Sequence, residues 1–435
     1  MSALRQSVVN HKGTQFLSAK NPLHLQPLLT KAIQQAMQAA YIVDAVRTPI
    51  GRYGGVLSTI RPDDMLALLI RSMMERNPSL DPAGIEDVIA GATNQAGEDN
   101  RDVARMAALL AGLPVTVAGN TVNRLCASGM QAVMDAARAI MCGEGDVYLA
   151  GGVESMTRAP LVMPKPDAAY SRKAEIVDTT IGWRFTNKKL ADMYHPYSMG
   201  ETAENIAARW KISREAQDEF ALNSQLKYKA ALEAGIWPRE IIPVPVTPNK
   251  QEQVVVTNDE HPRETTLEKL AGLRPAFAKD GSVTAGNSAG INDGAAVVLV
   301  VSERALKQYN LTPLMRVSSM AVAGVDPAIM GIGPVPATQK ALKRAGITVD
   351  QLDLVELNEA FAVQALACIQ DLGLDPSKIN LNGGSIAMGH PLGCTGARIV
   401  GTLGHEMKQR KNVKYGLTTM CVGVGQGAAM IFENI

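Results

Sequence analysis

Residues 126–152 read CASGMQAVMDAARAIMCGEGDVYLAGG, and residues 394–427 read CTGARIVGTLGHEMKQRKNVKYGLTTMCVGVGQG. Each opens on a cysteine among small residues, runs through a helical pattern and ends in a strand closed by glycines. Apolar residues three and four apart give the helix, and a short apolar run bounded by glycine gives the strand. One helix–strand unit written twice, far apart in the chain, predicts a duplicated α/β architecture.

The text around the two copies fits that plan. Strand-like runs stand at 41–46 (YIVDAV), 147–152, 295–301 (AAVVLVV), 316–324, 352–358, 415–420 and 428–433, with helical patterns over 63–76, 127–142, 200–234, 337–345, 359–372 and 394–410. The middle is richer in charge and proline and carries all three tryptophans, Trp183, Trp210 and Trp237, so it reads as an insertion. We therefore expect one half from 41–155 plus 286–310, an inserted loop domain over 156–285, and a second half over 311–435. Residues 1–40 contain no Asp or Glu and read as an extension outside the fold, with Met37 beginning the functional chain. An organelle-targeting segment over 1–36 is the alternative.

The bulk numbers exclude several classes. Lys plus Arg is 43 and Asp plus Glu 42, a net charge of +1 that leaves no nucleic-acid footprint. No apolar run approaches the length of a membrane span. The five cysteines, Cys126, Cys142, Cys368, Cys394 and Cys421, form no CxxC pair, which favours a reducing, cytoplasmic compartment over a disulfide framework.

Four islands place one reactive side chain each at an element boundary. NRLCASG (123–129) sets Cys126 at the first turn of a helix, where the N-terminal partial charge favours a thiolate. Its neighbours Ala127, Ser128 and Gly129 would leave open space beside the sulfur. LNEAFA (357–362) puts Asn358 at a strand end, GHPLGCTGAR (389–398) puts His390 in a turn before a helix, and MCVGVGQG (420–427) puts Cys421 at a strand end before Gly423, Gly425 and Gly427. Singly each has a plain explanation: a helix cap, a loop histidine, an apolar plug. Together they form the set needed for carbon–carbon chemistry at a thioester. A thiolate of depressed pKa accepts an acyl group, a histidine removes its proton, and a second cysteine near its ordinary pKa of ~8.5 moves the α-proton. Fixed donors hold the two oxyanions.

These motifs, with GNSAGINDGAA (286–296), resemble in the same order those of the thiolase family, over residues 41–435. The resemblance implies a five-layered α-β-α-β-α fold of two duplicated halves with an inserted loop domain. It implies a homodimer or homotetramer acting on acyl-CoA substrates, with coenzyme A as co-substrate and no metal or permanently bound cofactor. It also implies roles: Cys126 as the acylated nucleophile, His390 as its base, and Cys421 as the α-proton exchanger. Asn358 would hold a water that forms one oxyanion hole with His390, and the amides of Cys126 and Gly423 would form the other. Met199 would line the acyl and pantetheine pocket, and Phe361, Ser288 and Ala289 are placed with the substrate.

Ala289 stands where many acetoacetyl-type thiolases carry a pantetheine-contacting serine, and Ser198 where they carry a histidine. TPIGRYGG (48–55), NQAGEDNRDVARM (94–106) and DTTIGWRF (178–185) look instead like 3-oxoadipyl-CoA thiolases of aromatic catabolism. That implies cleavage of 3-oxoadipyl-CoA with CoA to succinyl-CoA and acetyl-CoA. Arg184 is the candidate cation for the dicarboxylic tail. The alternatives are a broad 3-oxoacyl-CoA or acetoacetyl-CoA thiolase and, in a different class, a non-catalytic acyl-binding protein on the same fold.

Overall fold

A computed structural model of the chain describes residues 38–247 and 252–435. The expectation for the first 36 to 40 residues therefore lies almost wholly outside the described residues. One large mixed sheet dominates. Its strands are β1 (Ala40–Arg47), β2 (Gly51–Arg52), β3 (Asp87–Gly91), β4 (Ala118–Val122) and β5 (Val147–Ser155), followed after the middle segment by β10 (Asn292–Ser302), β11 (Met315–Gly324), β12 (Leu354–Leu357), β13 (Tyr415–Val422) and β14 (Gln426–Glu433). Two small hairpins, β6 (Leu161–Val162) with β7 (Val177–Asp178) and β8 (Val244–Val246) with β9 (Val254–Val256), belong to the middle segment.

The strand order β12-β13-β14-β11-β1-β10-β5-β3-β4 contains the same motif twice. On one side β1 pairs antiparallel with β10, β10 antiparallel with β5, β5 parallel with β3 and β3 parallel with β4. On the other side β11, β14, β13 and β12 repeat that sequence of orientations. The counterpart of β4 is reduced to a single parallel bridge, Val355 with Ile379. The halves join where their first strands meet, Tyr41 opposite Arg316 and Ile42 opposite Met315.

Three buried cores explain the layering. In β10, Ala296, Val298 and Val300 face the central core, whereas Ala295, Val297, Leu299 and Val301 face an outer one. In β14, Ala428, Met430 and Phe432 face the centre, and Ala429 and Ile431 face the other outer core. Alternate side chains of a strand point to opposite faces, so a continuous apolar run is what a strand covered on both sides requires. The helices Ser128–Cys142 and Leu392–Gln409 pack together as the central layer. Pro62–Arg76 and Val103–Leu110 cover one outer face, and Pro334–Ala345 and Ala362–Leu372 the other. The five layers expected from the sequence are present.

Two expectations change. The helical pattern 200–234 is two helices, Met199–Trp210 and Arg214–Glu233, because Lys211 turns left-handed (φ 55°) and Ser213 caps the second. The small residues after Cys126 do not leave open space. A Cβ on Gly129 would lie 2.5 Å from the Gly393 carbonyl oxygen, and one on Gly396 would lie 2.2 Å from the Met130 nitrogen. Their smallness lets the two central helices touch backbone to backbone.

The middle segment is tied to β1 through charge. Arg47, 1% exposed, pairs with Glu240 (2.6 Å) and Asp259 (2.6 Å), and Tyr228 donates to Asp259 (3.0 Å) while stacking on Trp237.

Candidate active site

The first half supplies Cys126 from the turn between β4 and the helix Ser128–Cys142. The turn is held by its own polar residues. Asn123 Oδ1 accepts from Leu125 N–H (2.8 Å), and Ser128 Oγ accepts from Arg124 N–H (2.9 Å) while donating to Leu125 O (2.6 Å). Leu125 takes φ 45°, a conformation that costs a branched residue energy and is found where a site is held in place. Burial pushes the Cys126 thiol up to about 11, and the backbone N–H groups of Gly423 and Cys126 near the sulfur pull it down only in part. This corrects the expected depressed pKa: desolvation outweighs the two backbone N–H groups.

The second half supplies the other groups. His390 Nδ1 lies 2.7 Å from Thr395 Oγ1, and that hydroxyl donates to Pro391 O (2.8 Å). A hydroxyl has one proton, so Nδ1 carries the ring hydrogen and Nε2 keeps a bare lone pair. Burial, with Arg398 adding to it, lowers the His390 pKa to about 3, so the ring is neutral. Asn292 fixes the backbone, accepting from His390 N–H (2.9 Å) and donating to Gly51 O (2.9 Å). Gly389 has φ 109°, and a Cβ there would strike Asn292 at 2.6 Å, so glycine is required before the histidine.

Asn358 stands just after β12 with its Nδ2 3.4 Å from His390 Nε2. Its other end is fixed: Arg398 Nη2 donates to Ser385 Oγ (2.9 Å), and Ser385 donates to Asn358 Oδ1 (2.6 Å). The chain Arg398–Ser385–Asn358 therefore turns the amide nitrogen toward the histidine. Cys421, next to last in β13, is buried, and burial pushes its thiol well above the ordinary range, with Cys126 and Cys368 adding smaller effects. The expectation of an ordinary pKa there is corrected for the same reason.

Cys126, His390 and Cys421 line one cavity of about 250 Å³, together with Met199, Ser288, Ala289 and Phe361. Asn358, 1% exposed, sits behind His390 instead of lining the space. Gly423 and Arg184 line a neighbouring recess of about 330 Å³ that also reaches Cys126. Arg184 is thus outside the inner cavity. Ser288 donates its hydroxyl to Thr284 O (2.7 Å), so its proton is spent on its own loop.

The sequence did not reveal Met156, Phe277, Met330 and Leu392, which also line the wall, nor Ser385 and Thr395 behind it. Thr395 lies in a motif already singled out and could have been found as a hydroxyl one helical turn beyond the histidine. Met330 carries no local signal.

A thiol, a neutral imidazole with an unprotonated Nε2, and a second protonated thiol around one apolar space suit acyl transfer with proton exchange at carbon. The comparisons with known proteins agree. The thiolase N-terminal domain matches residues 40–304 and the thiolase C-terminal domain matches 311–434. The chain is 54% identical over 402 residues to the Escherichia coli 3-oxoadipyl-CoA/3-oxo-5,6-dehydrosuberyl-CoA thiolase, covering 92% of this chain and 100% of that one. It is also 54% identical to an Acinetobacter baylyi beta-ketoadipyl-CoA thiolase, with the same coverage. The crystal structure of the Bacillus anthracis acetyl-CoA acetyltransferase superposes with TM-score 0.86 at 42% identity, covering 92% of this chain and 99% of that one. Repeated topology, shared cavity and matched domains together place this chain in the thiolase family.

Proposed function

We propose that this thiolase cleaves 3-oxoadipyl-CoA with CoA, giving acetyl-CoA and succinyl-CoA, and runs the reverse condensation through the same steps. The observation that carries the chemistry is the convergence of Cys126, His390 and Cys421 on one cavity. The substrate class is supported by similarity to the thiolases of Escherichia coli and Acinetobacter baylyi.

In the cleavage direction His390 Nε2 takes the Cys126 proton as the sulfur attacks the C3 carbonyl. The thiol's high pKa keeps that transfer coupled to attack, so no standing thiolate is needed. Proton uptake turns Nε2 into a donor, ready for an oxyanion beside Asn358 Nδ2, while the Cys126 and Gly423 amides serve the other oxyanion. The C2–C3 bond breaks, and the electron pair left on C2 takes the Cys421 proton, releasing acetyl-CoA. A thiol held well above its ordinary pKa still has that proton to give. The succinyl group stays on Cys126 until the CoA thiol, losing its proton to the site, carries it off as succinyl-CoA. Met199, Ser288, Ala289 and Phe361 would hold the acyl group and the pantetheine arm.

CoA is a co-substrate in this scheme, and no metal takes part. The half-exposed edge strand β4, together with Leu161, Met163, Tyr170 and Met193 standing exposed, supports a homodimer or homotetramer. We take 156–285 as the insertion between the two halves; the extension expected over 1–40 stops short of Ala40, which is buried and opens β1 opposite Ser302. The cysteine usage supports a cytoplasmic setting, and no helix among the described residues is long and apolar enough to cross a membrane.

An uncharged inner cavity would also suit a broad 3-oxoacyl-CoA or acetoacetyl-CoA thiolase. Comparing kcat/KM for 3-oxoadipyl-CoA and acetoacetyl-CoA separates the two. We expect a clear preference for the former, and a large preference for acetoacetyl-CoA removes the assignment.

A further inference from the structure

Cys126 opens onto two spaces. Ile181, Gly182, Met199 and Leu392 border both, but their far walls differ. The inner cavity leads to His390, Cys421, Ser288 and Ala289 and has no charged residue in its lining. The neighbouring recess leads to Thr93, Asn123 and Arg184. Thr93, Asn123 and Arg184 also line an outer basin, which adds Arg101. No Asp or Glu lines any of the three spaces.

The two arginines are electrostatically unspent. Among the described residues, which hold every Asp and Glu of the chain, neither Arg184 nor Arg101 has a carboxylate within 4.0 Å. Arg184 donates only to Thr179 O, at a long 3.4 Å. Most arginines nearby are committed: Arg158 to Glu98, Arg61 to Asp63, Arg52 to Glu260. Arg101 also sits with Asn100 in consecutive left-handed conformations (φ 66° and 49°), a turn that is costly without glycine.

We propose that the recess ending at Arg184, with Arg101 behind it, seats the terminal carboxylate of a dicarboxylic acyl chain and sets the preference for such chains. The inference rests on the cleavage proposed above. The acyl group left on Cys126 there is a succinyl, which carries a carboxylate two methylenes from the thioester carbon. The thioester arm must follow the inner cavity, because Cys421 has to reach C2. The tail then has the other space. A carboxylate turned into the uncharged cavity would be desolvated without a partner, whereas a guanidinium offers two parallel N–H donors to both oxygens.

The test uses the full chain with 3-oxoadipyl-CoA and 3-oxohexanoyl-CoA, which has the same carbon count but a methyl terminus. Arg184→Gln should lower the ratio of kcat/KM for the first over the second by about 10- to 100-fold, mostly through KM, as loss of a charge-assisted pair predicts. Arg101→Gln should lower it less, and Arg184→Lys should restore part of it. A ratio unchanged in Arg184→Gln, or both substrates falling together, overturns the assignment of the recess. If the wild type shows no preference for 3-oxoadipyl-CoA, the proposed substrate fails, and this inference fails with it. A wild type that prefers it, beside an Arg184→Gln that keeps the preference, sinks the inference alone.

Discussion

The two halves share a topology but put different chemistry at matching points. Two residues before the helix Ser128–Cys142 stands Cys126, and two residues before Leu392–Gln409 stands His390. Next to last in β5 is Glu154, and next to last in β13 is Cys421. In the proposed mechanism one half would supply the acyl carrier beside a buried carboxylate, and the other both proton-handling groups. Glu154 is an anchor between them. Its carboxylate accepts from the backbone of Thr93 and Asn94 in its own half and from Gly393 N–H (2.9 Å) in the other, just past His390. A second cysteine sharpens the point. Cys394 lies in the first turn of its helix, yet it packs in the central core outside the inner cavity, and burial pushes its thiol up to about 12. The two cysteines share a helix start and differ in access: only Cys126 faces the inner cavity.

Removing the carrier should have the largest effect. Cys126→Ser should cut turnover by about 10⁴-fold or more and abolish the acyl-enzyme seen by mass spectrometry, because an alcohol is a far weaker nucleophile than a thiol and exchanges thioesters poorly. Cys421→Ser should slow carbon–carbon cleavage by about 10²–10⁴-fold while Cys126 still takes an acyl group from acyl-CoA. Equal loss of both half-reactions would break the division of labour between the halves.

Ser385→Ala should act more gently. It frees the Asn358 amide without touching the cavity, so kcat should fall by about tenfold with KM for CoA little changed, while Ser385→Thr recovers part of the rate. A matching rise in KM would point to a general loosening instead.

The smallest effect is a shape. Iodoacetamide labelling of Cys126 should keep accelerating with pH through 9, as a thiol near 11 requires; a plateau below pH 8 would indicate a standing thiolate–imidazolium pair. Neutral His390 has a matching signature in stability. Its folded pKa of about 3 lies below the unfolded value near 6.5, so only the unfolded chain takes up this proton between those limits. Stability from this group is present above about 6.5 and is lost as pH falls toward 3.

Much of the framework was legible because it is local. The apolar run 295–301 announces a strand buried on both faces, and glycine-bounded helix–strand pairs announce the repeated unit. The candidate site residues Cys126, Asn358, His390 and Cys421 were visible, each at the end of an element, and the fold brings them to one place. The split of 200–234 was missed because Lys211 and Ser213 act through backbone conformation, which residue spacing does not record.

By itself the sequence determined which groups are present and which elements carry them, because hydrophobic period and turn chemistry are properties of neighbours in the chain. Only the tertiary structure decided their state. Whether the thiols at 126 and 421 are ionised, which nitrogen of His390 bears the proton, and which way the Asn358 amide faces all depend on desolvation and on partners brought from elsewhere in the fold. Those energies come from three-dimensional surroundings, and residue order does not contain them until the chain has folded.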